Sequence, residues 1–245
     1  MRKKLFPLFL ALAVLLPNVL FAQQKIDESS YFKKEELPNA LHFLPAPPDT
    51  CTTQFMYDIS QYMWGKTQRA GERGERARRE AATDIPTMLK LFSGAFGYDL
   101  SPETTPAIYR VVAKACNTSH DAGSIPKRHY MRKRPYMRFN EPTLVPEDEE
   151  ILRTNGSYPS GHTLLGWGMA LILSEINPSA QDTLLAMGYE WGQSRVIAGF
   201  HWQSDVDASR MLAAAVIARL HTSEAFLNDM RRAREEWAKI KKSKK

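Results

Sequence analysis

Strand-like alternation is nearly absent from this chain of 245 residues, and no internal repeat is visible in it. Without period-two apolar runs there is little from which to build a sheet, so the sheet-based classes are excluded. Cysteine is scarce too. Cys51 and Cys116 are the only two, too few for a thiolate zinc site or a disulfide-dense scaffold. The six histidines contain no His-x3-His pair, and Asp and His do not cluster as a two-metal site would require. No metal and no cofactor is therefore expected. Beyond the opening residues, the longest apolar run, Leu164 to Leu173, is about half of a membrane span and reads as a buried core helix.

The opening residues are different. Met1-Arg2-Lys3-Lys4 precedes an apolar run from Leu5 to Leu16, and a small residue, Ala22, stands before Gln23. A basic start, an apolar middle and a small cleavage residue form a secretory signal peptide over residues 1–22, so the mature chain reads as exported. Export also bears on charge. The formal net charge is +6, but Arg2, Lys3 and Lys4 leave with the leader. Lys239, Lys241, Lys242, Lys244 and Lys245 crowd the C-terminal tail. What remains is slightly acidic, which argues against a nucleic-acid binder. In an oxidising compartment an even cysteine count favours a disulfide, and the spacing leaves a Cys51–Cys116 bridge open.

Residues 23–50 are polar and then proline-rich, ending in Leu44-Pro45-Ala46-Pro47-Pro48-Asp49, and read as an extended arm. Residues 51–245 carry helical signals and a basic tail. Phe55, Met56, Ile59, Tyr62 and Met63 form a stripe at helical spacing over Thr53–Trp64. Lys66 to Arg79 reads as a solvated helix face with ion pairs, and Asp84 caps a helix through Leu91. Ser101-Pro102-Glu103 predicts a helix start followed by core positions Ile108, Val111, Val112 and Ala115. Helices are also expected over Ser179–Ile197, over Trp202–Leu220 with Val206, Met211, Leu212, Val216 and Ile217 inward, and over Glu224–Lys242. The fold class is all-α, a single compact helical domain.

Three clusters carry chemistry. Lys127 is followed seven positions later by Arg134-Pro135. Pro159-Ser160-Gly161-His162 leads into an apolar helix, placing a hydroxyl and free backbone N–H groups at a helix N-terminus. Ser194-Arg195 precedes His201 and Asp205, which on a helix are i and i+4 on one face. Each cluster alone has an ordinary structural reading: a solvated basic face, a capped helix, an ion pair. Together they supply what phosphoryl transfer through a histidine needs: cations and N–H donors for three phosphate oxygens, an imidazole nucleophile, and a second imidazole for the leaving oxygen.

In these residues the chain resembles the type 2 phosphatidic-acid phosphatase/vanadium haloperoxidase superfamily, and within it the class A bacterial non-specific acid phosphatases. Similar flanks extend the likeness over almost all of the mature chain: Phe92–Gly97, His129-Tyr130-Met131-Arg132, Gly156-Ser157-Tyr158 and His201–Asp207. The resemblance implies that His201 is the nucleophile, oriented by Asp205. It makes His162 the acid and then the base, with Lys127, Arg134, Ser160, Gly161 and Arg195 binding phosphate. It further implies an all-helical, periplasmic, metal-independent homo-oligomer that hydrolyses phosphate monoesters (nucleotides, sugar phosphates, aryl phosphates) at acid pH and in some members transfers phosphate to alcohols. One departure shows. Close relatives often carry a cysteine where this chain has Ala198, bridged into the loop Met137–Thr154, which has none here.

Alternatives in the same pocket are vanadate-dependent halide oxidation, for which the chain is short, and lipid-phosphate hydrolysis without stable membrane insertion. A non-catalytic phosphate-binding protein would need neither the His–Asp pair nor the second histidine. Acid-pH activity follows if His162 must be protonated, since an unperturbed imidazole is so only below about pH 6.5.

Overall fold

A computed structural model describes residues 26–243 of the chain; the expected leader, 1–22, lies outside the described residues. Eleven α-helices occur among them: α1 (Thr53–Thr67), α2 (Glu72–Arg79), α3 (Ile85–Phe96), α4 (Pro106–Ala122), α5 (Ser124–Tyr130), α6 (Pro135–Phe139), α7 (Glu149–Arg153), α8 (Gly161–Ile176), α9 (Gln181–Ala198), α10 (Gln203–Leu220) and α11 (Glu224–Ser243). No strand occurs among the described residues. The fold is all-α, as the missing alternation requires.

The centre is α8, apolar almost all round because it is covered by α4, α9 and α10. Leu164, Met169, Ile172 and Leu173 are fully buried there, against Val111, Val112 and Ala115 of α4 and Leu212 and Val216 of α10. Phe226, Met230 and Trp237 of α11 close the core on the α4 side. Burying a side chain of this size stabilises by roughly 1.5–3 kcal/mol each, so the helix that starts at the Ser160-Gly161-His162 motif is held at a fixed depth. Residues 26–50 are irregular with two single 3-10 turns, and Leu37, Ala40 and Leu44 are buried against the main core.

Three expectations need correction, and one open question is answered. Met56, Met63 and Met211 are 67%, 44% and 48% exposed, so the buried face of α1 is Phe55, Asp58, Tyr62 and Gly65, with an acid among its members. Ser101 does not start α4. Its hydroxyl accepts from the N–H groups of Glu103 and Thr104, closing an isolated turn, and α4 begins at Pro106. Lys66–Arg79 is not one solvated face: the chain breaks between α1 and α2, and Arg69 and Arg73 turn inward onto α9, bonding Ile197 O and Ser194 Oγ. The question left open at the cysteines is settled: Cys51 is exposed, Cys116 is buried, and both are free.

Candidate active site

The second histidine cluster is placed by the end of α9. That helix stops at Gly199, whose φ of +94° is left-handed backbone that favours glycine. A Cβ there would stand 2.4 Å from Arg69 Nη2, so the guanidinium would have to shift as well. The chain then turns through Phe200 and His201, and α10 starts after Trp202. Asp205 is the third residue of α10, and its Oδ2 accepts the Trp202 N–H at 2.9 Å. The same oxygen lies 3.4 Å from His201 Nδ1. The pair is therefore not two residues on one helical face, as the i, i+4 spacing suggested. His201 precedes the helix, and Asp205 reaches back to it while capping the helix start.

The tautomer of His201 follows from its other side. Arg134 Nη1 lies 3.1 Å from His201 Nε2. A guanidinium has only donors, so Nε2 is the acceptor and carries no proton, and the proton sits on Nδ1 facing Asp205. Arg134 is itself fixed by the carbonyls of Leu152, Asn155, Phe200 and Gly156. Burial, and then the charges of Arg134, Lys127 and Arg195, hold His201 well below the usual imidazole range.

His162 stands in the first turn of α8, whose leading N–H groups, at Gly161 and His162, precede the first intrahelical bond. Its Nε2 donates to the carbonyl of Ala81 at 2.9 Å, so in the neutral ring Nδ1 is the unprotonated nitrogen. Burial and the nearby Arg195 push it well below the usual range, against the opposing pull of the Ala81 carbonyl. Ser160 caps the same helix: its hydroxyl accepts from Thr163 N at 3.3 Å and Thr163 Oγ1 at 3.0 Å, and its N–H goes to Asp205 O.

Lys127, Arg134, Gly161, His162 and His201 line one cavity of about 320 Å³. Asp205 lies behind His201, and Ser160 lies under the helix turn. A larger cavity, about 820 Å³, lies between Pro45–Pro48, α1 and α10 but contains none of these residues, so chemistry rather than size marks the site. Lys127 Nζ donates to Gly156 O at 3.0 Å, and burial followed by the Arg134 charge lowers its ammonium to about 7. Arg195 is fully buried with its guanidinium 4.5 Å from the Phe200 ring, and none of its three nitrogens has a hydrogen-bond partner. Burial lowers it to about 9. A buried cation without a partner is costly, and an anion beside it removes that cost. Among the described residues, no three His, Cys, Asp or Glu side chains gather as a metal site needs.

Three contributors escaped the sequence reading. Arg132 donates to Asp205 Oδ1 at 2.6 Å and to Asp58 Oδ2 at 2.7 Å, and Asp58 also accepts the N–H and hydroxyl of Ser204. His120, on α4, lines the cavity. The signal for Asp58 was present: an acid three residues after Phe55 and four before Tyr62, on the apolar face of α1. Arg132 sat inside a basic run, where a solvated surface is the ordinary reading, and His120 had no neighbouring motif.

Comparison with known proteins bears on the same region. Residues 110–228 match the pattern of the PAP2 superfamily. A non-specific acid phosphatase of Providencia stuartii is 42% identical over 216 residues, 86% of each chain. One of Salmonella typhimurium is 39% identical over 84% of this chain and 83% of its own. An acid phosphatase of Zymomonas mobilis is 31% identical over 97% of this chain and 92% of its own.

Proposed function

The chain belongs to the PAP2 superfamily and is an acid phosphatase, and from that premise we propose that it hydrolyses organic phosphate monoesters through a phosphohistidine at His201. The observation that carries this is the fully buried, unpartnered guanidinium of Arg195 beside an imidazole whose Nε2 is free of its proton. The first is a place for phosphate oxygens; the second is a nucleophile aimed at them.

In the first step His201 Nε2 attacks phosphorus, and the bond from phosphorus to the ester oxygen breaks. Lys127, Arg134, Arg195 and the leading N–H groups of α8 neutralise the charge on the three remaining oxygens. Ser160 contributes through the helix start it caps. The Nδ1 proton of His201 stays shared with Asp205, which stabilises the positive ring as it forms. A protonated His162 gives its proton to the departing alkoxide. In the second step neutral His162 takes a proton from water, which attacks phosphorus and frees phosphate. Because burial and then its cationic neighbours depress His162, the proton must be held with the help of the substrate's own negative charge, which favours acidic operation.

The reading extends to nucleotides, sugar phosphates and aryl phosphates as substrates, to some transfer onto alcohol acceptors, and to no metal requirement. Export by residues 1–22 would place the enzyme in the periplasm. Exposed Met56, Tyr57, Met63 and Trp64 on α1 give it an apolar surface suited to self-association as a homo-oligomer. The test is release of phosphate from an aryl phosphate at acid pH with a chelator present. Activity should persist with chelator and vanish in His201→Ala. Loss with chelator, or an active His201→Ala protein, would overturn the reading.

A further inference from the structure

A second cavity, of about 200 Å³, adjoins the catalytic one. His120, Lys127 and Asn155 line both. The outer cavity adds Lys34, Ser124 and Arg128, with Asp121 as its one carboxylate. Asp121 is already engaged, its Oδ1 with Lys34 Nζ at 3.3 Å and its Oδ2 with the Ser30 hydroxyl at 2.5 Å. Arg128 is exposed and has no ion-pair partner among the described residues. Ser124 Oγ is buried and has no hydrogen-bond partner. The outer cavity thus carries excess positive charge and an unused buried hydroxyl, and it shares three lining residues with the inner one.

The wall between the two is built for close approach. A Cβ on Gly161 would stand 3.1 Å from His120 Nε2, so glycine there lets the imidazole lie against the first turn of α8. Lys127, reaching both cavities, puts one ammonium between two anion positions. The two cavities, about 320 and 200 Å³, share three lining residues and each have room for one small anion, side by side. Two separate cavities suit two phosphate esters on a short carbon scaffold better than a pyrophosphate, whose two phosphorus atoms share one oxygen.

We propose that the outer cavity is a second anion subsite, held by Arg128, Lys34 and Ser124, which binds the non-reacting phosphate of small bisphosphates and so makes them preferred substrates. The proposal rests on the phosphatase reading of the inner cavity. The reaction is unchanged. Water replaces the scaffold oxygen on the phosphorus seated at His201, and the product keeps its second phosphate in the outer site as a monoester.

The test compares butane-1,4-diol bisphosphate with butyl phosphate, which share their leaving-group chemistry. The wild-type kcat/KM should favour the bisphosphate by about tenfold, the worth of one charge-assisted contact, beyond the statistical advantage of two equivalent esters. Arg128→Ala should remove most of that preference by raising KM for the bisphosphate, with butyl phosphate unchanged, and Lys34→Ala should act in the same direction. Pyrophosphate turnover should be insensitive to both. Normal hydrolysis of butyl phosphate with no preference for the bisphosphate would overturn the subsite alone. So would an Arg128→Ala protein that loses both substrates equally. Failure to hydrolyse butyl phosphate and aryl phosphate alike would overturn the phosphatase reading and this proposal with it.

Discussion

Arg195 separates an anion site from a structural arginine. Its guanidinium is buried, stacked on Phe200 and unpartnered, so the free protein bears the cost of an uncompensated charge. Arg195→Met keeps much of the volume and removes the charge. It should leave the free protein as stable as wild type or more so, by about 1–3 kcal/mol, while abolishing the rise in Tm that sulfate gives. A ligand at a hundred times its Kd stabilises by about 2.7 kcal/mol, which thermal melts resolve. A destabilised variant still protected by sulfate would contradict this. Lys127 makes a complementary prediction. Its ammonium, lowered to about 7 by burial and by Arg134, is charged below that pH and neutral above it. Binding of sulfate, whose own charge is constant there, should weaken as pH rises from 6 to 8.5. Lys127→Arg, with a cation that does not titrate, should flatten that dependence. Inhibition constants independent of pH in the wild type would contradict the assignment.

At the scale of elements, the surroundings of His201 are set by one continuous turn and helix start and by a distant helix, α1. The turn after α9 delivers His201, the first turn of α10 delivers Asp205, and α1 delivers Asp58, which holds Arg132 against Asp205. Arg132 is a positioning residue: it satisfies the Asp205 carboxylate that would otherwise draw His201 toward its cationic form. In Arg132→Met that carboxylate lacks its cation, and the His201 pKa rises. On the proposed mechanism His201 attacks in its neutral form, so the acid limb of kcat/KM should move to higher pH, by about one unit, with Arg132→Lys partly restoring it. An unchanged limb with only reduced stability would make Arg132 structural. These elements also show what the sequence carried. The apolar spacing of α8 and α9 and the Asp84 cap that opens α3 were legible because each is a local pattern. Asp58 was visible as an acid on an apolar face, but its partner stands 74 residues away, and no one-dimensional pattern names that partner. The His201–Asp205 pairing was legible as spacing. Its geometry was not, because Gly199 ends one helix before His201 and the next begins after it. Ser101 misled for a similar reason: a capping sequence can close an isolated turn as well as a helix.

For the whole molecule, Lys127 and Arg134 share one cavity with the imidazoles of His162 and His201, and Arg195 is buried close enough for its charge to act on both rings. Burial, and after it the cations the fold gathers here, is why both histidines lie well below their usual range. On the proposed mechanism a bound phosphate would reverse that bias, so binding and chemistry would share one electrostatic origin. The most direct test of the account is to trap the intermediate. The enzyme is mixed with excess aryl phosphate at acid pH, quenched in alkali where phosphohistidine persists, and its peptides are sequenced by mass spectrometry. The account predicts one phosphoryl group on His201, lost on acid treatment and absent from His201→Ala, with a longer-lived adduct in His162→Ala when the leaving group needs no proton. Full turnover with no covalent phosphate on the protein, or phosphate on a residue other than His201, would contradict it.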